Sequence, residues 1–231
     1  MLSGSMGPIA RLAPVVVIAL IAVGCIQLEQ TVLLNGDGSL AVTCHYSVAA
    51  DSEALLATGA RVIQQWQGRP AETPAWFANE EAVREHFAAT GVTVQRYRRY
   101  QAGGRHHVEL ILFAEYGPAA LNSGLLGPLR CDRLDDGSVR LWADLPRPTG
   151  PAGGLDPRAL RALTQDLVLR LDLRVPGSIT STTAPRHSRS TATWVFDPGV
   201  DDAFLDAVPR LECAFDARRL DWSQRLPAAV P

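Results

Sequence analysis

Hydrophobic and polar positions alternate with a period of two along much of the chain, and turn residues interrupt the alternation at several places. Residues 26–34 (IQLEQTVLL) and 39–48 (SLAVTCHYSV) flank Asn35-Gly36-Asp37-Gly38. The second run puts Leu40, Val42, Cys44, Tyr46 and Val48 on one face, so the pair predicts a β-hairpin. A second hairpin is expected from Val92–Tyr100 and Arg105–Glu115 through Ala102-Gly103-Gly104. A third is expected from Leu129–Arg133 and Ser138–Leu145 through Asp135-Asp136-Gly137. Further strands are expected at Val168–Val175, stopped by Pro176-Gly177, at Thr191–Phe196 and at Leu211–Phe215. Trp194 shares a strand face with Ala192 and Phe196, which predicts that it lies on the buried side.

Helical periodicity appears between these runs. Asp51 caps a stripe of Leu55, Leu56, Val62, Ile63 and Trp66 that ends near Gln67, with Gly59 as a weak point. Asn79 caps a short helix closed by Gly91, with Glu80 and Glu81 in the first turn, where the helix dipole favours negative charge. Pro157 opens a helix to residue 166, and Val200–Val208 fits one more. Residues 117–129 are expected to be a loop with one helical turn, 146–157 a long loop, and 178–190 a Ser/Thr-rich connection. Hairpins interleaved with helices, without regular βαβ units, predict an α+β fold. Its sheet is mostly antiparallel and built from hairpins, with helices packed on one face.

The N-terminus departs from this pattern. Arg11 precedes a 12-residue apolar run, Leu12 to Val23, and Gly24-Cys25 follows at once. Such a run is too short to cross about 30 Å of hydrocarbon as a helix, so it is expected to be the apolar region of a signal peptide. Ala22-Val23-Gly24-Cys25 resembles the bacterial lipobox, with Ala22 where Leu is usual. On that reading Cys25 is diacylated on its thiol and becomes the mature N-terminus. The alternatives are an ordinary secretory leader and an uncleaved anchor. The expected organisation is a signal peptide at 1–24, one domain at 25–216 and a frayed tail at 217–231. Nothing downstream of Val23 approaches 18 consecutive apolar residues. The expected location is the cell envelope, with the protein held by acyl chains in the outer membrane or at the cell surface. Two or more chains hold a protein stably where one does not.

Composition narrows the function classes. The chain has 231 residues, 47% hydrophobic and 20% charged, with a net charge of −2. That excludes a polybasic nucleic-acid binder and a disordered chain. All 22 basic residues are Arg, so Schiff-base and P-loop lysine chemistry are excluded. No G-x-S-x-G, C-x-x-C or H-E-x-x-H occurs. We therefore expect no enzymatic activity, no catalytic residues, no cofactor and no metal. His107 and Glu109 share a strand face, but two ligands do not make a metal site. The Asp-Gly turns at 37–38 and 136–137 lack the remaining ligands of a calcium loop. After Cys25 three cysteines remain, Cys44, Cys131 and Cys213, so at most one pair can form.

The order of elements resembles the LppM-like family of bacterial lipoproteins. A lipobox Cys runs directly into a strand ending in an Asp-Gly turn, Cys25-Ile26 to Asp37-Gly38-Ser39. Late in the chain come Leu171–Ile179 (LDLRVPGSI) and then Thr193-Trp194-Val195-Phe196. Two features differ from the family. Many relatives carry a C-terminal transmembrane helix, for which no apolar run is present here. Thr180-Ser181-Thr182-Thr183 stands where an Asn-Gly turn is usual. The resemblance implies a domain that associates with lipids or other envelope amphiphiles. The alternative is a structural module that docks a protein partner, whose identity the sequence does not specify.

One polar stretch stands out, Arg96-Tyr97-Arg98-Arg99-Tyr100 with Arg105-His106-His107 across the turn. Arg side chains can fork onto phosphate oxygens, so Arg96, Arg98, Arg99 and Arg105 are candidates for anion or lipid head-group binding. Nucleic acid is not an expected ligand for an exported lipoprotein. Strand alternation places Arg96 and Arg98 on one face and Arg99 with Tyr97 on the other. A solvated edge whose Arg stems cover apolar surface is the alternative.

Overall fold

A computed structural model describes residues 26–50, 79–88, 91–124, 126–144, 167–201, 210–218 and 220. The leader and Cys25, the helices expected at 51–67 and 157–166, the loop 146–157, most of the segment 200–208 and nearly all of the tail lie outside the described residues. The elements are β1 (Ile26–Leu34), β2 (Leu40–Ala49), α1 (Glu80–Ala88), β3 (Val92–Ala102), β4 (Arg105–Ala114), α2 (Gly117–Ser123), β5 (Arg130–Arg133), β6 (Val139–Asp144), β7 (Val168–Arg174), β8 (Ile179–Thr182), β9 (Arg186–His187), β10 (Thr191–Phe196) and β11 (Arg210–Phe215).

They form a seven-stranded sheet, ordered β3-β4-β2-β1-β7-β10-β9, and a four-stranded sheet, ordered β5-β6-β11-β8. All described pairings are antiparallel except β1 with β7. The fold is α+β and dominated by its sheets, and β1 is the middle strand of the larger one.

One contiguous core lies between these layers. The large sheet supplies Val32, Leu34, Val42, Leu112, Leu173 and Trp194, and the small sheet supplies Val139, Leu141, Leu211 and Phe215. Helix α1 adds Val83 and Phe87, spaced four residues apart on one face, and α2 adds Ala120 and Leu121. Asn79 caps α1 as expected, its Oδ1 accepting the amides of Glu81 at 2.9 Å and Ala82 at 3.4 Å. Trp194 is 3% exposed, and its indole N–H donates to Thr183 Oγ1.

The two Asp-Gly-Ser turns are built alike. The Asp37 carboxylate accepts the Ser39 amide and hydroxyl at 3.0 and 2.7 Å, and Asp136 does the same for Ser138 at 2.8 and 2.6 Å. Gly38 (φ 84°) and Gly137 (φ 80°) provide the left-handed residue that each turn requires. Both carboxylates are thereby committed to turn geometry.

Two segments are more ordered than the pattern predicts. The Ser/Thr-rich stretch 178–190 contains β8 and β9, which are defined by partners elsewhere in the chain: Thr182 pairs with Cys213 and His187 with Ala192. Residues 117–123 form a helix, and Asn122 fixes it to an edge strand through two 2.8 Å bonds with the Cys131 backbone. The described cysteines are free. Cys131 and Cys213 face Leu141 from opposite sides, two strand spacings of about 4.8 Å apart, beyond the reach of a disulfide. Burial pushes the thiols of Cys44 and Cys131 up to about 12 and that of Cys213 up to about 11.

Candidate functional site

The β3–β4 hairpin carries all four candidate arginines, and a β-bulge sets their facing. Val94 pairs with Leu112 but Arg96 pairs with Ile111, so Gln95 is the extra residue. Without it, strict alternation from Val94 would turn Arg96 and Arg98 toward the core. With it, Arg96, Arg98, Tyr100 and Arg105 share the outer face, and Tyr97, Arg99 and Gln101 share the inner one. The structure therefore separates the four arginines. Arg105 is paired with Ala102 at the tip. Arg98 lies about 13 Å from the tip row and Arg96 about 20 Å, at roughly 3.3 Å per residue.

Arg98 is integrated into a polar ladder across the outer face. Its guanidinium stands 4.7 Å over the Tyr100 ring, which stacks on His107 at 4.8 Å, which stacks on His45 at 5.4 Å. The Tyr100 hydroxyl donates to Glu109 at 3.0 Å, and Arg98 approaches the other Glu109 oxygen at 3.8 Å. The hydrogen bond to Glu109 is the main reason that the Tyr100 hydroxyl is held above its ordinary pKa. His107 Nε2 lies 3.2 Å from the Ala102 carbonyl, which can only accept, so that nitrogen carries the proton. Nδ1 then accepts from His45 Nε2 at 3.1 Å. Both nitrogens of His107 and one oxygen of Glu109 are occupied in this way. No group of three or more metal-ligating side chains occurs among the described residues.

Arg105 holds the end of β2. Its Nε donates to Ser47 Oγ at 2.9 Å and its Nη2 to Ser47 O at 3.1 Å. The Ala50 amide donates to Gly104 O at 3.0 Å, so the hairpin tip and the end of β2 form one surface. His45 was not legible as part of this arrangement, because its partner His107 is 62 residues away and the pairing is set only by β2–β4 register.

A pocket of about 600 Å³ lies at the opposite end of the sheet, beyond the C-terminus of β7. Pro176, Gly177, Ser178, Arg189, Asp216 and Arg218 line it. Arg189 donates to Ser178, and Arg218 forks onto Asp216. These walls suit a polar group and not an acyl chain. No helix among the described residues is long and apolar enough to cross a membrane.

No protein-family profile matches the chain, and no curated protein matches it. Among solved structures it is similar to the folded domain of the Mycobacterium tuberculosis LppM protein, determined by NMR. That match has 13% identity and a TM-score of 0.46, and it covers 87% of this chain and 94% of that one.

Proposed function

We propose that this chain is a lipid-anchored protein of the bacterial envelope whose exported domain binds a lipid or other amphiphile by its polar head group, the part that the polar walls of the pocket beyond β7 suit, and catalyses no reaction. The observation that carries the proposal is the junction at Cys25. A lipobox-like sequence ends on this cysteine, and the central strand of the large sheet begins at the next residue. The acyl chains on Cys25 would hold the domain in the membrane, with no flexible spacer between lipid and fold. The sequence resemblance to the LppM-like lipoproteins points the same way.

Two measurements test the proposal. Membrane fractionation should find the wild-type chain in the envelope pellet and Cys25→Ser in the soluble fraction. Native mass spectrometry of the full protein, released from detergent, should detect a non-covalently bound lipid in addition to the covalent acyl mass. A Cys25→Ser chain that stays in the membrane contradicts the anchor, and a protein that retains no lipid contradicts the binding role.

A further inference from the structure

The register of the large sheet gathers one end of four strands into a row. Ile26 faces Val48, Val48 faces His106, and His106 faces Gln101. One residue further out, Ala49 faces Arg105 and Arg105 faces Ala102. Cys25 is bonded to Ile26, so its Cα lies about 3.8 Å from that row. With strands about 4.8 Å apart, the β3–β4 tip sits about 14 Å to the side of the anchor and at the same level. The head-group layer of one leaflet is about 5–7 Å thick. An anchor one residue from the sheet therefore brings this end of the domain, hairpin tip included, to the membrane surface.

Charge is distributed unevenly at this end. Arg105 and His106 lie in the outermost two rows, and Arg99, paired with Val108, is about 10 Å in. Along β1–β4, no acidic residue occurs in these rows; the first are Glu29 and Glu109, level with Arg98. On the other side of the anchor, β10 ends at Phe196, level with Leu28. Beyond it the turn 197–201 carries Asp197 and Asp201 around Val200, which is 85% exposed. The mature chain has 21 Arg against 24 acidic residues, so its net charge of −3 gives no general attraction to an anionic surface. Among the described residues at this end, the positive charge lies on the hairpin side.

We propose that the Ile26 end of the large sheet is a membrane-docking surface, on which the β3–β4 tip rests against anionic phospholipid head groups through Arg105 and Arg99 while the 197–201 turn is held away. This rests on the lipid-anchor reading and adds to it an orientation: the domain leans toward its basic hairpin. Each arginine near an anionic leaflet favours the leaning state about fivefold. The preference weakens with salt, because screening shortens from about 10 Å at 0.1 M to about 3 Å at 1 M.

The test uses full-length acylated protein in vesicles of phosphatidylcholine, with or without phosphatidylglycerol. A fluorophore is placed at Ala102→Cys on the tip or at Val200→Cys on the acidic side, and a head-group spin label acts as quencher. With phosphatidylglycerol, quenching at 102 should exceed that at 200 several-fold, and the difference should disappear in phosphatidylcholine alone or at high salt. Arg99→Gln with Arg105→Gln should also remove it. Arg105→Lys, which keeps the charge but loses the fork onto Ser47, should preserve it. Equal quenching at the two positions, or a difference indifferent to phosphatidylglycerol and to the Gln substitutions, overturns the proposal. Intact mass of the same sample keeps the two claims apart: a chain without acyl mass refutes the anchor, whereas an acylated chain that does not lean refutes only the docking surface.

Discussion

The two long hairpins of the large sheet point in opposite directions and use their turns in opposite ways. The β1–β2 turn at Asn35–Ser39 is closed over. Leu34 and Leu40 flank it at 0% and 1% exposure, Gly38 and Ser39 are buried, and the Gly117 amide of α2 donates to Gly38 O at 2.8 Å. The β3–β4 turn is open. Gly103 and Gly104 both have positive φ, and a side chain at either would meet nothing within 4 Å. Both turns rely on glycine, but one is a seam between layers and the other projects into solvent at the Ile26 end of the sheet. Turn chemistry in the sequence therefore shows where the chain reverses, and the packing around it decides whether that reversal holds the fold together or is available for contact.

Substitutions should separate the two ends, most strongly at the closed one. Leu34→Ala removes a fully buried side chain next to the seam and should cost about 2–5 kcal/mol in denaturant unfolding. A loss below that range would mean that the turn is not clamped. Gly117→Ala comes next. Its Cβ would stand 2.8 Å from Gly38 O and 2.9 Å from the Leu40 Cβ, and overpacking of this kind costs about 1–3 kcal/mol. At the open end, Gly104→Ala meets no atom and carries only the strain of φ +72°, about 1 kcal/mol. Equal costs at Gly117 and Gly104 would erase the distinction.

The smallest effect is expected at Asp37. Hydrogen bonds from the Ser39 side chain and then its amide hold the Asp37 carboxyl below its ordinary value of 3.8. A depressed carboxylate stabilises the fold above the unfolded value, and that contribution is lost as pH falls through the folded one. Melting temperatures of wild type and Asp37→Asn should therefore differ at neutral pH and converge in acid. Asp136, built the same way, should behave alike. Parallel curves across the whole range would remove both turns from the account of acid sensitivity.

Much of this architecture was legible because its signals are local. Asp-Gly-Ser and Gly-Gly mark the three hairpins, Asn79 marks the start of α1, and alternation around Trp194 gave its facing. What was not legible depends on distant partners. The parallel pairing of Gln27 with Val168 spans most of the domain, and no local pattern marks it. Strands β8 and β9 are polar and pair because β11 and β10 present open edges to them. That the four arginines lie on one hairpin, with Arg96 and Arg98 on one face and Arg99 on the other, was legible from alternation. Their depth relative to Ile26 came only from the β1–β2–β4–β3 register, which places Arg105 at the Ile26 end and Arg96 far from it. Cys25 is the reverse case, since its signal is entirely local sequence and the fold contributes only the strand that begins beside it.

Intact mass spectrometry of the membrane-extracted protein decides whether Cys25 carries lipid. The expected result is a mature chain that begins at Cys25 and carries the mass of a diacylglyceryl group, with or without a further acyl chain. Cys25→Ser should lose both the added mass and the cleavage. An unmodified N-terminus at any other residue, or an uncleaved wild-type chain without lipid, would contradict the anchor.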